Sequence, residues 1–201
     1  MVAPTVALAT EDELSERVCE RLLAEAGLAV SELRFRKNGF GYLKNKIDSF
    51  VSLARHQPLL LLTDLDQVPC APTLIQRWME KNRAPENLIL RVAVRQVEAW
   101  ILADSKAITD LLGRKCRPPS HPEDVPDSKR HLLELARQAP RAVRDDLVAA
   151  KGAIASQGLG YNSVLSNFVS SQWCPKRAAS KAPSLARARN AIGRLANRLE
   201  S

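Results

Sequence analysis

The segment PLLLLTDLD, residues 58–66, most narrows what this chain can fold into. Leu59 to Thr63 have every reason to be buried, and Pro58 marks their start, so they read as a strand that runs straight into Asp64 and Asp66. The flanking sequence repeats the theme. TVALAT (Thr5 to Thr10) is a first short apolar strand, and Leu14, Val18, Leu22 and Ala26 then recur at helical spacing until Gly27. LAVSELRFR is a second strand ending in a basic loop, and Leu43, Ile47, Phe50, Val51 and Ala54 mark an amphipathic helix before Pro58. APTLIQRWMEKN follows as a helix and ENLILRVAV as a fourth strand. Strand and helix alternate for about the first hundred residues, which predicts βαβ units: an α/β fold with a largely parallel sheet and helices on its faces.

RQVEAWILADSKAITDLLG continues as a helical stretch with a break expected near Asp104. RPPSHPEDVPDSKR is a proline-rich connection, and the pattern beyond it is helical, with SQGLGYNS as a turn. The expected organisation is an α/β domain over residues 1–113 and a helical C-terminal extension over 114–201 packed on it.

Of the 201 residues, 45% are apolar, which suits a globular chain, and the formal net charge is +8. That excess favours a polyanionic partner such as DNA or RNA. Much of it lies in the tail, where Lys176, Arg177, Lys181, Arg187, Arg189, Arg194 and Arg198 face only Glu200. A solvated basic helix face accounts for that tail as well as a binding stripe does. Cys19, Cys70, Cys116 and Cys174 are scattered, without the spacing of a zinc site, and read as free thiols. No apolar stretch reaches membrane-spanning length, no signal-peptide pattern opens the chain, and a reducing cytoplasm is the expected compartment.

In an open α/β sheet, ligands bind beyond the carboxyl ends of the strands. Asp64 and Asp66 fall at the end of the third strand, Glu11 directly after the first, and Glu98 just after the fourth. Such oxygen ligands suit a hard divalent cation, Mg²⁺ or Mn²⁺, which would also relieve their mutual repulsion. A lone DxD also ends strands as a turn or cap, and Glu98 alone also reads as an acid favoured at a helix start. Asp104 lies six residues beyond Glu98, pointing elsewhere on a continuous helix, and is not paired with it.

An acid after strand one, here in ALATEDE, and a later apolar strand ending in DxD, here LLLLTDLD, resemble the TOPRIM domain of topoisomerases, primases and nucleases of overcoming-lysogenization-defect type. RVAVRQVEAWILAD, PDSK and GLGYNSVLSNFV are similar to a bacterial TOPRIM-like family in which the phrase EAWxLAD is prominent. The resemblance implies a TOPRIM-like fold over about residues 4–113 and a Mg²⁺-dependent nuclease acting on DNA or RNA, in repair or anti-phage defence, with an ATPase as partner protein. It implies Glu11 as general acid/base or metal ligand, Asp64 and Asp66 as catalytic metal ligands, and Glu98 as a further ligand. Arg36, Lys37 and Lys44 would be phosphate contacts. The TOPRIM glutamate is usually followed by glycine; here Asp12 follows, so either the turn differs or Glu13 is the functional acid.

Three other readings compete. A haloacid-dehalogenase-like phosphatase also uses DxD, but on its first strand and with a later acidic pair that Asp145 and Asp146 do not supply, since no apolar strand precedes them. A nucleotide-sugar glycosyltransferase uses DxD too, in longer chains. The strongest rival is a TOPRIM-like module that binds nucleic acid or a partner without cutting, which the missing glycine and the basic tail would suit. His56, His121 and His131 sit in polar surroundings, Ser15, Ser128 and Ser184 lack a nucleophile elbow, GFG and GLG read as turns, and Trp78, Trp100 and Trp173 read as core.

Overall fold

A computed structural model describes residues 3–36 and 40–200. Its centre is a four-stranded sheet built from β1 (Thr5–Thr10), β2 (Ala29–Arg36), β3 (Leu59–Asp64) and β4 (Leu88–Ala93) in the order β2-β1-β3-β4. All three strand pairings are parallel. The central strands are buried on both faces, which explains why their sequences read as unbroken apolar runs. Val6, Leu8, Leu60, Leu62 and Ile89 point into one core, and Ala7, Ala9, Leu59, Leu61, Leu88 and Leu90 into another.

The second core is closed by α2 (Phe40–Asn45), α3 (Ile47–Leu53) and α4 (Ala71–Trp78) through Leu43, Ile47, Phe50, Val51, Leu74 and Trp78. The single helix expected before β3 is thus two, interrupted at Lys46. The first core receives α1 (Glu13–Glu25), α5 (Val97–Ala103), α6 (Ser105–Leu112) and the helices of the C-terminal half. These are α7 (Ser128–Ala136), α8 (Arg141–Leu147), α9 (Tyr161–Ser171), α10 (Pro175–Ala178) and α11 (Pro183–Glu200). Leu132, Leu165, Phe168, Trp173, Leu185 and Ile192 share one apolar cluster with the sheet. The proline-rich connection ends sooner than its composition suggests, because Asp127 caps α7 by accepting the Arg130 N–H at 2.8 Å. All four cysteines are free thiols. Among the described residues, no helix is long and apolar enough to cross a membrane.

The break expected near Asp104 is present and has a clear cause. Asp104 ends α5, caps α6 through the Ala107 N–H, and is only 1% exposed. Its carboxylate also accepts the Cys174 N–H at 2.8 Å and a two-pronged contact from Arg177 at 2.9 and 2.8 Å. One side chain therefore ties the α5–α6 corner to α10. Replacing Asp104 with Ala leaves these donors unmet in a buried place and should cost about 3 kcal/mol, at the lower end for a broken buried pair because Arg177 can turn to water. Chemical denaturation should show the loss, with Asp104→Asn falling between the two.

Candidate functional site

The order β2-β1-β3-β4 places the topological switch between β1 and β3, since the connections that follow these two neighbouring strands lead away in opposite directions. A crevice beyond the carboxyl ends of the strands is expected at that point. Glu11 follows β1, and its Oε1 accepts the Asp64 backbone N–H at 3.0 Å and the Thr63 hydroxyl. Asp64 ends β3, and its Oδ1 accepts the Val97 N–H at 2.9 Å, at the first turn of α5. Glu98, in that same turn, is 4% exposed, and its Oε1 accepts the Tyr161 hydroxyl at 2.7 Å. Acids from β1, β3 and the start of α5 are thus each anchored through one oxygen at one edge of the sheet.

Asp66 lies two residues beyond Asp64, with a φ of 47°, and Arg95 in the loop after β4 has a φ of 62°. The two loops hold each other: the Asp66 N–H donates to the Arg95 carbonyl at 2.9 Å, and the Arg95 guanidinium to the Asp66 carbonyl at 3.1 Å. Left-handed backbone is tolerable for aspartate and costlier for arginine. Leu65, buried between the two acids, pins the loop to the core and leaves the Asp66 side chain half-buried.

Burial makes this a difficult place for negative charge. It is the largest cause that raises the pKa of Glu11, Asp66 and Glu98, and it raises Asp64 well above the usual carboxylate range. The charges of Glu98, Glu11, Asp12 and Asp66 push Asp64 further up. Hydrogen bonds from Thr63 and Asp64 partly counter the rise at Glu11, and those from Tyr161, with the charge of Lys129, do so at Glu98.

Glu13 is separate from this group: it faces Arg36 at 3.9 Å. Asp12, in the position where glycine was expected, caps α1 by accepting the Ser15 N–H at 2.8 Å, and its charge acts on Glu11, Asp64 and Glu98. Arg36 lies on the same edge, in register with Thr10, but its guanidinium turns onto Glu16 of α1 at 3.3 Å. Lys44 lines a groove with Arg77 and Lys81 beside α4 and is not brought to the carboxylates. Lys37 lies outside the described residues.

Tyr161 and Lys129 were not singled out as site residues from sequence. Both lie in phrases that carry the resemblance, GLGYNS and PDSK, yet their roles need a contact spanning 63 residues of chain. Lys129 lies in the first turn of α7, where its N–H donates to Gln96 at 3.0 Å, and its ammonium lies 5.0 Å from the centre of the Tyr161 ring. The glycines before Tyr161 permit a close approach to α8. A Cβ on Gly158 would fall 2.2 Å from the Asp146 carbonyl oxygen, and one on Gly160 would fall 2.6 Å from the Asp146 Cβ.

The donors suit a hard cation in kind: three or four carboxylates and no soft ligand. Among the described residues, no three His, Cys, Asp or Glu side chains are close enough to form a ready-made metal cage. That set fits a cation held by one or two carboxylates, with water and substrate oxygens completing its shell, as Mg²⁺ is commonly bound.

A family model described as a domain of unknown function (DUF4276) matches residues 9–187, from the end of β1 into α11. No curated protein and no solved structure matches the chain.

Proposed function

The chain belongs to the DUF4276 family, and we propose that its carboxylate site hydrolyses nucleic-acid phosphodiester bonds with the help of Mg²⁺ or Mn²⁺. The observation that carries this reading is the junction of Glu11 and Asp64 at the switch between β1 and β3, with Glu98 beside them. The TOPRIM-like order of motifs supports it, as does the net positive charge of +8.

Asp64 would hold the cation with one of Asp66, Glu11 and Glu98, water and substrate oxygens completing its shell. When bound, the cation would polarise the scissile phosphate and make a nearby water more acidic. Glu11, its pKa raised by burial, suits a proton acceptor for that water. Tyr161 orients Glu98, and Lys129 brings a compensating positive charge to the same corner.

A second reading, a module that binds nucleic acid or a partner without cutting, is favoured by the absence of a closed metal cage among the described residues. The test is incubation of the purified protein with labelled linear, supercoiled and single-stranded DNA and with RNA, in Mg²⁺, Mn²⁺ or EDTA. Cleavage that needs the metal is expected, and the preferred substrate identifies the nucleic acid. Metal-independent, salt-sensitive binding without cleavage of any substrate would favour the module instead.

A further inference from the structure

β4 is an edge strand, paired only with β3, and α11 runs along its free side. The direction of α11 is fixed at both ends. Ser184, in its first turn, accepts the Val94 N–H at 3.2 Å just past the end of β4, and Arg198, in its last turn, donates to the Glu86 carbonyl at 2.8 Å just before β4 begins. Between α11 and α4 lies an open groove of about 490 Å³. Ile75, Leu90 and Val92 give it an apolar floor, and Arg91, Ser184 and Arg187 line its other side.

The arginines here lack acidic partners. Arg187 and Arg194 are seven residues apart, on one face of α11, and both are exposed. Neither forms an ion pair among the described residues, whereas Arg189, on another face of the same helix, is held by Glu25 at 2.7 Å. Arg91 is largely buried, and its Nε has no hydrogen-bond partner. Its charge is close enough to those of Arg194 and Arg187 for them to disfavour its protonated form, second to burial. A folded chain that places two like charges on an open groove and a third two turns further along the same helix, leaving a buried donor unmet, is arranged for an anion.

We propose that this groove and the arginine face of α11 form a track for a nucleic-acid strand, with Arg91, Arg187 and Arg194 on its phosphates, leading to the carboxylate site. The track deepens the hydrolase reading and rests on it for its destination. Ser184 accepts hydrogen bonds from both Val94, beyond the end of β4, and Trp100 of α5, the helix whose first turn carries Glu98. A strand followed along α11 toward its first turn therefore arrives at the edge that holds Asp64. That continuity favours nucleic acid over an acidic peptide, for which the groove alone would serve.

Fluorescence anisotropy with a labelled 20-nucleotide single strand and a 20-base-pair duplex tests the track, in EDTA so that cleavage plays no part. The 201-residue protein is compared with Arg187→Ala/Arg194→Ala and with a charge-matched control, Arg130→Ala/Arg141→Ala, whose side chains are exposed on α7 and α8. The groove variant should bind on the order of tenfold more weakly at low salt, and its log–log salt dependence should flatten by about 1.4 for single strands or 1.8 for duplex. The control should keep its affinity. Equal losses in both variants, or none in the groove variant, would overturn the proposal. So would an unlabelled poly-glutamate peptide that binds through the same two arginines while neither nucleic acid does. Binding that follows the groove arginines in a protein that never cleaves would count against the hydrolase reading and leave the track standing.

Discussion

A chain ending at Gly113 should show no cooperative unfolding transition. The sheet and α5 would survive in sequence, but one face of their packing would not. Every residue of α5 from Val97 to Ala103 is buried, and Trp100 is fully so. Trp100 donates its indole N–H to Ser184 at 2.7 Å, and its carbonyl accepts the Trp173 indole N–H at 3.1 Å, so its environment is built largely from residues after 113. Leu165, Phe168, Trp173, Leu185 and Ile192 all leave with the truncation. At about 1.5–3 kcal/mol for each large apolar side chain buried, their removal forfeits as much as the whole net stability of about 5–15 kcal/mol typical of a domain. Urea titration followed by circular dichroism should give a sloping, featureless curve for residues 1–113 and a sigmoid for the full chain. A sigmoid with dispersed amide resonances from the fragment would show that the sheet carries its own core.

Asp64→Asn should abolish activity while strengthening the metal-free fold. Asparagine keeps an oxygen for the Val97 N–H and removes a negative charge from a half-buried position beside Glu11 and Glu98. The catalytic loss should be at least about a hundredfold, the scale on which one precisely aimed electrostatic group acts. The stability gain should be on the order of 1 kcal/mol, or roughly 2–4 °C in melting temperature for a chain of this size. The sign follows from the raised carboxyl pKa values. Folded Glu11, Asp64 and Glu98 retain protons that the unfolded chain, with ordinary values near 4, has released. Their stabilising effect is fullest below about pH 4 and is lost as pH rises through the native values. Melting in EDTA across this range should therefore fall more steeply with pH in the parent protein than in Asp64→Asn. A variant that is both inactive and less stable would instead give Asp64 a purely structural role.

The sheet was legible because burial on both faces writes unbroken apolar runs into β1, β3 and β4, and because Asp64 and Asp66 interrupt such a run at its end. The convergence of Glu11 with Asp64 also followed from parallel topology alone. The partners of those acids were less visible. Tyr161 reaches Glu98 from the other half of the chain, and no local period announces that contact. Arg36 looked available because its engagement by Glu16 requires β2 to lie against α1, a tertiary fact. The split between α2 and α3 at Lys46 also leaves no trace in spacing, since Leu43, Ile47 and Phe50 continue one apolar face across it. The phrase EAWILAD divides in the structure three ways: Glu98 lies among the gathered acids with Tyr161, Trp100 lies in the core, and Asp104 clamps α10.

The claim that the gathered carboxylates share a divalent cation is tested most directly by calorimetric titration of Mn²⁺ into the 201-residue protein and into Glu11→Gln/Asp64→Asn. Saturable binding in the parent, lost in the double variant and unchanged in Arg187→Ala/Arg194→Ala, is the predicted result. Absence of Mn²⁺ uptake at millimolar concentration, or binding that persists without Glu11 and Asp64, would contradict it.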